Sequence, residues 1–180
     1  MNMERKFYVR LFLYMFTAVF TAGFALTWAY SRDFWEAAGG SAFYALFFGA
    51  LVSLAGGKMQ SLAVKSVPGW RDEDFASLRR ERAFGMNLPA GQAHDLALRF
   101  LTEQAGLVLE FNDREKGLII ARAPMSLHTF GITVKMDIRD DGGRTEASLL
   151  VKPVVGFALI DNGATLALAH KIERGLSGSV

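Results

Sequence analysis

From Leu11 to Ser31, and again from Ala37 to Gly57, the chain carries no charged side chain, and only residues 32–36 separate the two stretches. A hydrocarbon core of about 30 Å is crossed by roughly 20 apolar helical residues, because in lipid every backbone amide must be satisfied within its own segment. Both stretches reach that length. The pattern predicts an α-helical transmembrane hairpin over residues 1–58, with spans at about 10–31 and 37–57. The first stretch is too long for a signal peptide, lacks a small-residue cleavage site, and is followed at once by a second span.

Within the spans a finer period appears. Ser41, Ala45, Gly49, Ser53 and Gly57 recur every four residues in the second, and Thr17, Thr21, Ala25 and Ala29 do so in the first. Small side chains let helix backbones approach closely where lipid supplies no hydrophobic drive for association. These rows are the expected helix-packing residues, either against each other or against a partner or second copy.

The period then changes. Val67-Pro68-Gly69 interrupts the helix, and Trp70 suits an interfacial anchor. Asp72, Glu73 and Asp74, followed by Arg79, Arg80 and Arg82 before Gly85, match the two ends of a helix dipole. They predict a short charged helix in a juxtamembrane linker over residues 59–87. From residue 88 onward Ala93, Leu96, Ala97, Phe100 and Leu101 fall at helical spacing, with Gly106 placed to end that helix. Leu107, Leu109 and Phe111 alternate, Asn112 to Gly117 reads as a turn, and Leu118 to Ala123 resumes the extended pattern.

In the clearest strand Phe130, Ile132, Val134, Met136 and Ile138 point one way while Thr133, Lys135 and Asp137 point the other. Asp140 to Gly143 supplies a turn, and Ala147, Leu149 and Val151 share one face of the returning strand. Asp161-Asn162-Gly163 reads as a helix entry before Leu168, Ala169, Ile172 and Leu176. The expected fold of residues 88–180 is a small two-layer α+β domain: helix, four-stranded antiparallel sheet, helix.

Composition sharpens this picture where it differs from the average. Hydrophobic residues make up 51% of the 180, and the excess sits in the two spans. With no cysteine, thiolate and disulfide chemistry are excluded. Residues 1–84 carry ten Lys or Arg against seven acids, and residues 85–180 carry ten against eleven, so the basic pI of 9.0 belongs to the membrane-proximal half. A near-neutral domain lacks the concentrated positive surface that nucleic acid requires. Arg5, Lys6 and Arg10 precede the first span and Lys58, Lys65 and Arg71 follow the second, whereas the connecting loop has Arg32 beside Asp33 and Glu36. By the positive-inside rule both termini and the domain face the cytoplasm, which in a prokaryote means a two-pass inner-membrane protein.

Candidate chemistry is sparse. Neither span holds an ionisable residue of the kind transporters and proton relays need. His94, His128 and His170 lack a second ligand at metal spacing, and Ser126 near His128 has no nucleophile-elbow context. Asp140, Asp141 and Asp161 are accounted for by turns and capping. No cofactor is expected. The remaining feature is an apolar run after Pro153, in which Val155, Phe157 and Leu159, together with Trp70, are candidate contacts for a partner or lipid. The sequence therefore points to a non-enzymatic membrane accessory or adaptor subunit, with a membrane-protein partner or a second copy. The alternative is a membrane-tethered protein whose α+β domain holds a lipid or small apolar ligand, Met125, Phe130 and Phe157 lining its entrance.

Overall fold

Two residues, Arg32 and Asp33, separate helix α1 (Met3–Ser31) from helix α2 (Phe34–Ser66) in the computed structural model, which describes residues 3–75, 77–125, 129, 131–142, 144–155 and 160–177. Arg32 takes the left-handed conformation at φ 58°. Asp33 caps α2, its Oδ1 accepting from the amides of Trp35 at 2.8 Å and Glu36 at 3.0 Å. A capping carboxylate satisfies amides that a helix start leaves without partners, which is why so short a connection suffices. Both helices are long and apolar enough to cross a membrane.

Helix α2 continues to Ser66, where the Val67 amide closes it on the Val64 carbonyl. A single 3-10 turn follows over Asp72–Phe75. The chain divides into two units, Met1–Ala76 and Ser77–Val180.

The second unit is an antiparallel sheet of five strands, not four: β1 (Arg80–Met86), β2 (Val108–Asp113), β3 (Leu118–Ala123), β4 (Ile132–Asp141) and β5 (Arg144–Pro153), in spatial order β1-β5-β4-β3-β2. The additional strand, β1, lies where a charged helix was expected. Arg80 pairs with Val151 and Met86 with Thr145 in its ladder on β5. Residues 80, 82, 84 and 86 face the covered side of the sheet, and two of them are arginines, so the alternation did not look apolar. Arg80 is nevertheless buried, and Arg82 extends to Glu173 at 3.8 Å.

Strands β3, β4 and β5 lie as their alternation requires, but β2 does not: Leu107 is buried while Leu109 and Phe111, expected on the same face, are exposed, because β2 ends the sheet and a bulge between Leu109 and Phe111 breaks its register. Ile132, Val134, Met136 and Ile138 of β4 and Ala147, Leu149 and Val151 of β5 are buried, while Lys135, Glu146 and Ser148 are exposed. Phe130 and Gly143 lie outside the described residues. Helix α3 (Ala90–Arg99) runs into a π-helical turn over Phe100–Gln104, and helix α4 (Ala164–Ser177) packs on β1 and β5. Ala93, Ala97, Phe100 and Leu101 from the first of these helices, with Ala169, Ile172 and Leu176 from the second, join the sheet's inner face in one core. Asp161 caps α4 through the Thr165 amide at 2.9 Å and its hydroxyl at 2.5 Å, as the sequence indicated.

The tightest backbone approach in this unit is at Gly117. Its φ of 66° is left-handed, its carbonyl accepts from the Ile138 amide at 2.9 Å, and a Cβ there would fall on the Ile138 carbonyl oxygen. A backbone oxygen in mid-strand cannot move aside as a side-chain tip can. Gly117→Ala is therefore expected to destabilise the second unit by about 2 kcal/mol or more, combining φ strain with displacement of β4. Thermal unfolding of the full-length protein, followed through its sheet signal, checks this; an unchanged midpoint would contradict the β3–β4 geometry.

Candidate functional site

The small-residue row of α2 is buried: Ser41, Ala45, Gly49, Ser53 and Gly57 all face α1. The row expected on α1 does not meet it. Thr17, Thr21, Ala25 and Ala29 are exposed, one residue on and so about 100° round from the positions that do pack. Those positions form an aromatic row at the same four-residue step: Phe12, Phe16, Phe20, Phe24 and Trp28, with successive ring centroids 5.9–6.0 Å apart. Tyr8 continues the step below them. The spacing was available in the sequence, but aromatics in an apolar span had no partner to define their face.

Three contacts fix the register of the hairpin. A Cβ on Gly57 would run into the Tyr8 ring, one on Gly49 would stand 3.3 Å from the Phe12 ring, and one on Gly23 would stand 3.4 Å from the Ser41 Cβ. Large rings thus fill the space that small residues leave, a form of packing that needs no gain from burying apolar surface away from water. Among the described residues the Ser41 and Ser53 hydroxyls have no hydrogen-bond partner, so these serines serve by their size. At the loop end Phe34 packs edge-on against Phe24 at 5.6 Å and Trp28 at 6.1 Å.

The other end is closed by charge. The Ser61 hydroxyl donates to Glu4 Oε1 at 2.5 Å, and Lys65 Nζ lies 2.9 Å from Glu4 Oε2. The same ammonium lies 5.9 Å from the ring centroids of both Trp70 and Phe75, which are themselves edge-to-face. Trp70 is accordingly half-buried in this local cluster. Residues 57 and 61 positions apart meet here, so no local pattern announces the cluster.

In the second unit the most exposed apolar element is β2. It ends the sheet, pairs only with β3, and leaves Val108, Leu109 and Phe111 exposed at 63%, 40% and 46%. A bulge between Leu109 and Phe111 interrupts its ladder, and Glu110 pairs with Arg122 at 3.2 Å. At its turn the Lys116 ammonium and amide, each 3.0 Å away, hold the Asp113 carboxyl below its usual pKa. Met125 and Val154, both exposed, lie beside Gly131. Val155 is half-buried, and Phe157 and Leu159 lie outside the described residues, as do Ser126 and His128.

Two of the open concavities on this unit's surface are lined by described residues. One, of about 440 Å³, lies on the uncovered face among Glu81, Lys135, Asp137 and Leu150; the other, of about 710 Å³, lies between the β1–α3 turn and Arg144. Among the described residues no three His, Asp or Glu side chains stand close enough to hold a metal.

His94, on α3, is 2% exposed, and neither ring nitrogen has a hydrogen-bond partner among the described residues. Its Nδ1 is 4.0 Å from Asp95 Oδ1, while Asp95 Oδ2 accepts from Arg114 at 2.7 Å. Burial pushes the imidazolium pKa below the ordinary value of 6.5; Asp95 and Asp113 oppose the shift and Arg114 adds to it.

No protein-family model matches this chain, and no curated protein matches its sequence. A solved structure described as "Crystal structure of Ara h 8.0201" is similar over 56% of this chain and 95% of its own, at 7% identity and a TM-score of 0.44. A likeness of that strength assigns no function.

Two outcomes test this geometry. Gly23→Cys with Ser41→Cys, in a chain that has no other cysteine, is expected to form an intramolecular disulfide on mild oxidation, because the two Cβ atoms would stand 3.4 Å apart, close to the separation that an S–S bridge spans. Protease cleavage between the helices should leave the fragments joined until reduced; fragments that separate without reduction would refute the register. For His94, the folded-state pKa lies below the unfolded one, so the unfolded chain binds more protons and stability falls as pH drops below about 6.5. The unfolding midpoint of the full-length protein is expected to be lower at about pH 5 than at about pH 7.5, and His94→Leu should reduce that difference.

Proposed function

We propose that this chain is a non-enzymatic, membrane-anchored adaptor whose hairpin crosses the bilayer twice and whose α+β unit presents strand β2 to a protein partner. The exposed β2 edge carries the reading. An end strand offers unpaired backbone groups, and apolar side chains exposed on both of its faces give an incoming strand or helix something to bury. Val108, Leu109 and Phe111 meet that description, and the charges around them are already paired within the unit. The excess of Arg and Lys flanking the two helices supports a cytoplasmic location for both ends and for the α+β unit.

The test is purification of tagged full-length protein from its native membranes in gentle detergent. The wild type is expected to carry a stoichiometric protein partner. Val108→Ser with Phe111→Ser should lose it while the unfolding midpoint stays close to that of the wild type, since exposed substitutions change stability by about 0.5 kcal/mol or less. A wild type that migrates alone as a monomer, or a variant that keeps the partner, would defeat the proposal.

A further inference from the structure

The base of the helical hairpin combines two kinds of side chain that water does not favour side by side. Arg5, Lys6, Lys58 and Arg71 are exposed and form no ion pair among the described residues. On the same turns Val9, Met59 and Leu62 are exposed at 44%, 59% and 62%. The Glu4–Ser61 hydrogen bond and the Tyr8–Gly57 contact set Arg5 and Lys6 of α1 level with the turn of α2 that carries Lys58. Two of the acids near this girdle are engaged elsewhere: Glu4 holds Ser61 and Lys65, and the Asp74 carboxylate accepts from the Arg71 amide at 2.7 Å. Asp72 and Glu73 are the exposed acids nearby. The opposite end of the hairpin has one cation, Arg32, beside Asp33 and Glu36.

Cations with apolar neighbours at one depth match the boundary between phosphate headgroups and acyl chains, where long basic side chains reach up to phosphate while their stems lie in the apolar zone. We infer that this end of the hairpin is a binding surface for anionic phospholipid headgroups, with Arg5, Lys6 and Lys58 contacting the phosphate and Val9, Met59 and Leu62 set against the acyl boundary. The inference rests on the hairpin spanning the bilayer, as proposed above. Lys65 is not part of the surface, because Glu4 holds it; the Glu4–Lys65 pair instead keeps a carboxylate from facing the lipid phosphate.

Full-length protein is reconstituted into bilayers of mixed phosphatidylglycerol and phosphatidylcholine, extracted gently, and its retained lipids are identified by native mass spectrometry. Wild type is expected to retain phosphatidylglycerol over phosphatidylcholine by about tenfold or more relative to the bulk mixture, since each basic side chain near the surface contributes about fivefold. Arg5→Gln/Lys6→Gln/Lys58→Gln should bring the ratio close to that of the mixture. The charge-preserving Arg5→Lys/Lys6→Arg/Lys58→Arg should keep it, which separates lost charge from lost folding. Excess inorganic phosphate at matched ionic strength should leave the retained lipid unchanged; displacement by phosphate would mean a site for free anions and would overturn the inference. No enrichment in the wild type, or enrichment surviving in the glutamine variant, would overturn it too. Failure to insert, seen as extraction of the protein by alkaline carbonate, would instead refute the membrane-spanning reading itself.

Discussion

The hairpin depends on the fit between a row of small residues and a row of rings. Along α2 the side chains from Ser41 to Gly57 are small at every fourth position, and along α1 the rings from Tyr8 to Trp28 recur at the same step. Within lipid, helices gain from contact only through packing and hydrogen bonding. Rings entering the space above glycine and serine maximise the first, and neighbouring ring pairs contribute about 0.5–1.5 kcal/mol each beyond the area they cover. The turn at Arg32 and Asp33 and the Glu4–Ser61–Lys65 cluster then fix where the two rows begin and end.

A different rule organises the second unit, because its sheet is assembled by hydrophobic burial. The inner face of β3, β4 and β5 is aliphatic, and α3 and α4 supply small and large apolar side chains to cover it. Strand β1 extends this sheet on an inner face that includes two arginines, one of them meeting Glu173 of α4. At the opposite side β2 has only one neighbour and is exposed on both faces. A bulge and the Glu110–Arg122 pair blunt that edge, in the way proteins limit indiscriminate strand pairing, without removing its apolar side chains.

Charge plays different parts in the two units. At the base of the hairpin one carboxylate is tied to one ammonium and the remaining cations face outward. In the second unit Asp95, Glu110, Asp113 and Asp137 each have a cationic partner within 3.2 Å. His94 stands apart as a buried group with neither nitrogen bonded among the described residues, and the charges of Asp95, 4.0 Å away, and of Asp113 offset the desolvation of a proton on it only in part.

The sequence by itself determined the elements whose signal is local. Two uncharged stretches of spanning length, the alternation in β4 and β5, the left-handed Gly106 after the first helix of the second unit and the Asp161 cap are each legible because a single element's period or a single turn's chemistry dictates them. Tertiary structure decided what depends on a neighbour. Arg80 and Arg82 read as a solvated helix until β5 gives them a strand partner. Thr17, Thr21 and Ala25 look like a packing row until the aromatic row, turned by one residue, takes α2 instead. Glu4 and Lys65 are 61 positions apart, and only the close packing of the two helices brings them within 2.9 Å. Periodicity states which face an element has, but which face is covered is settled by the partner that arrives.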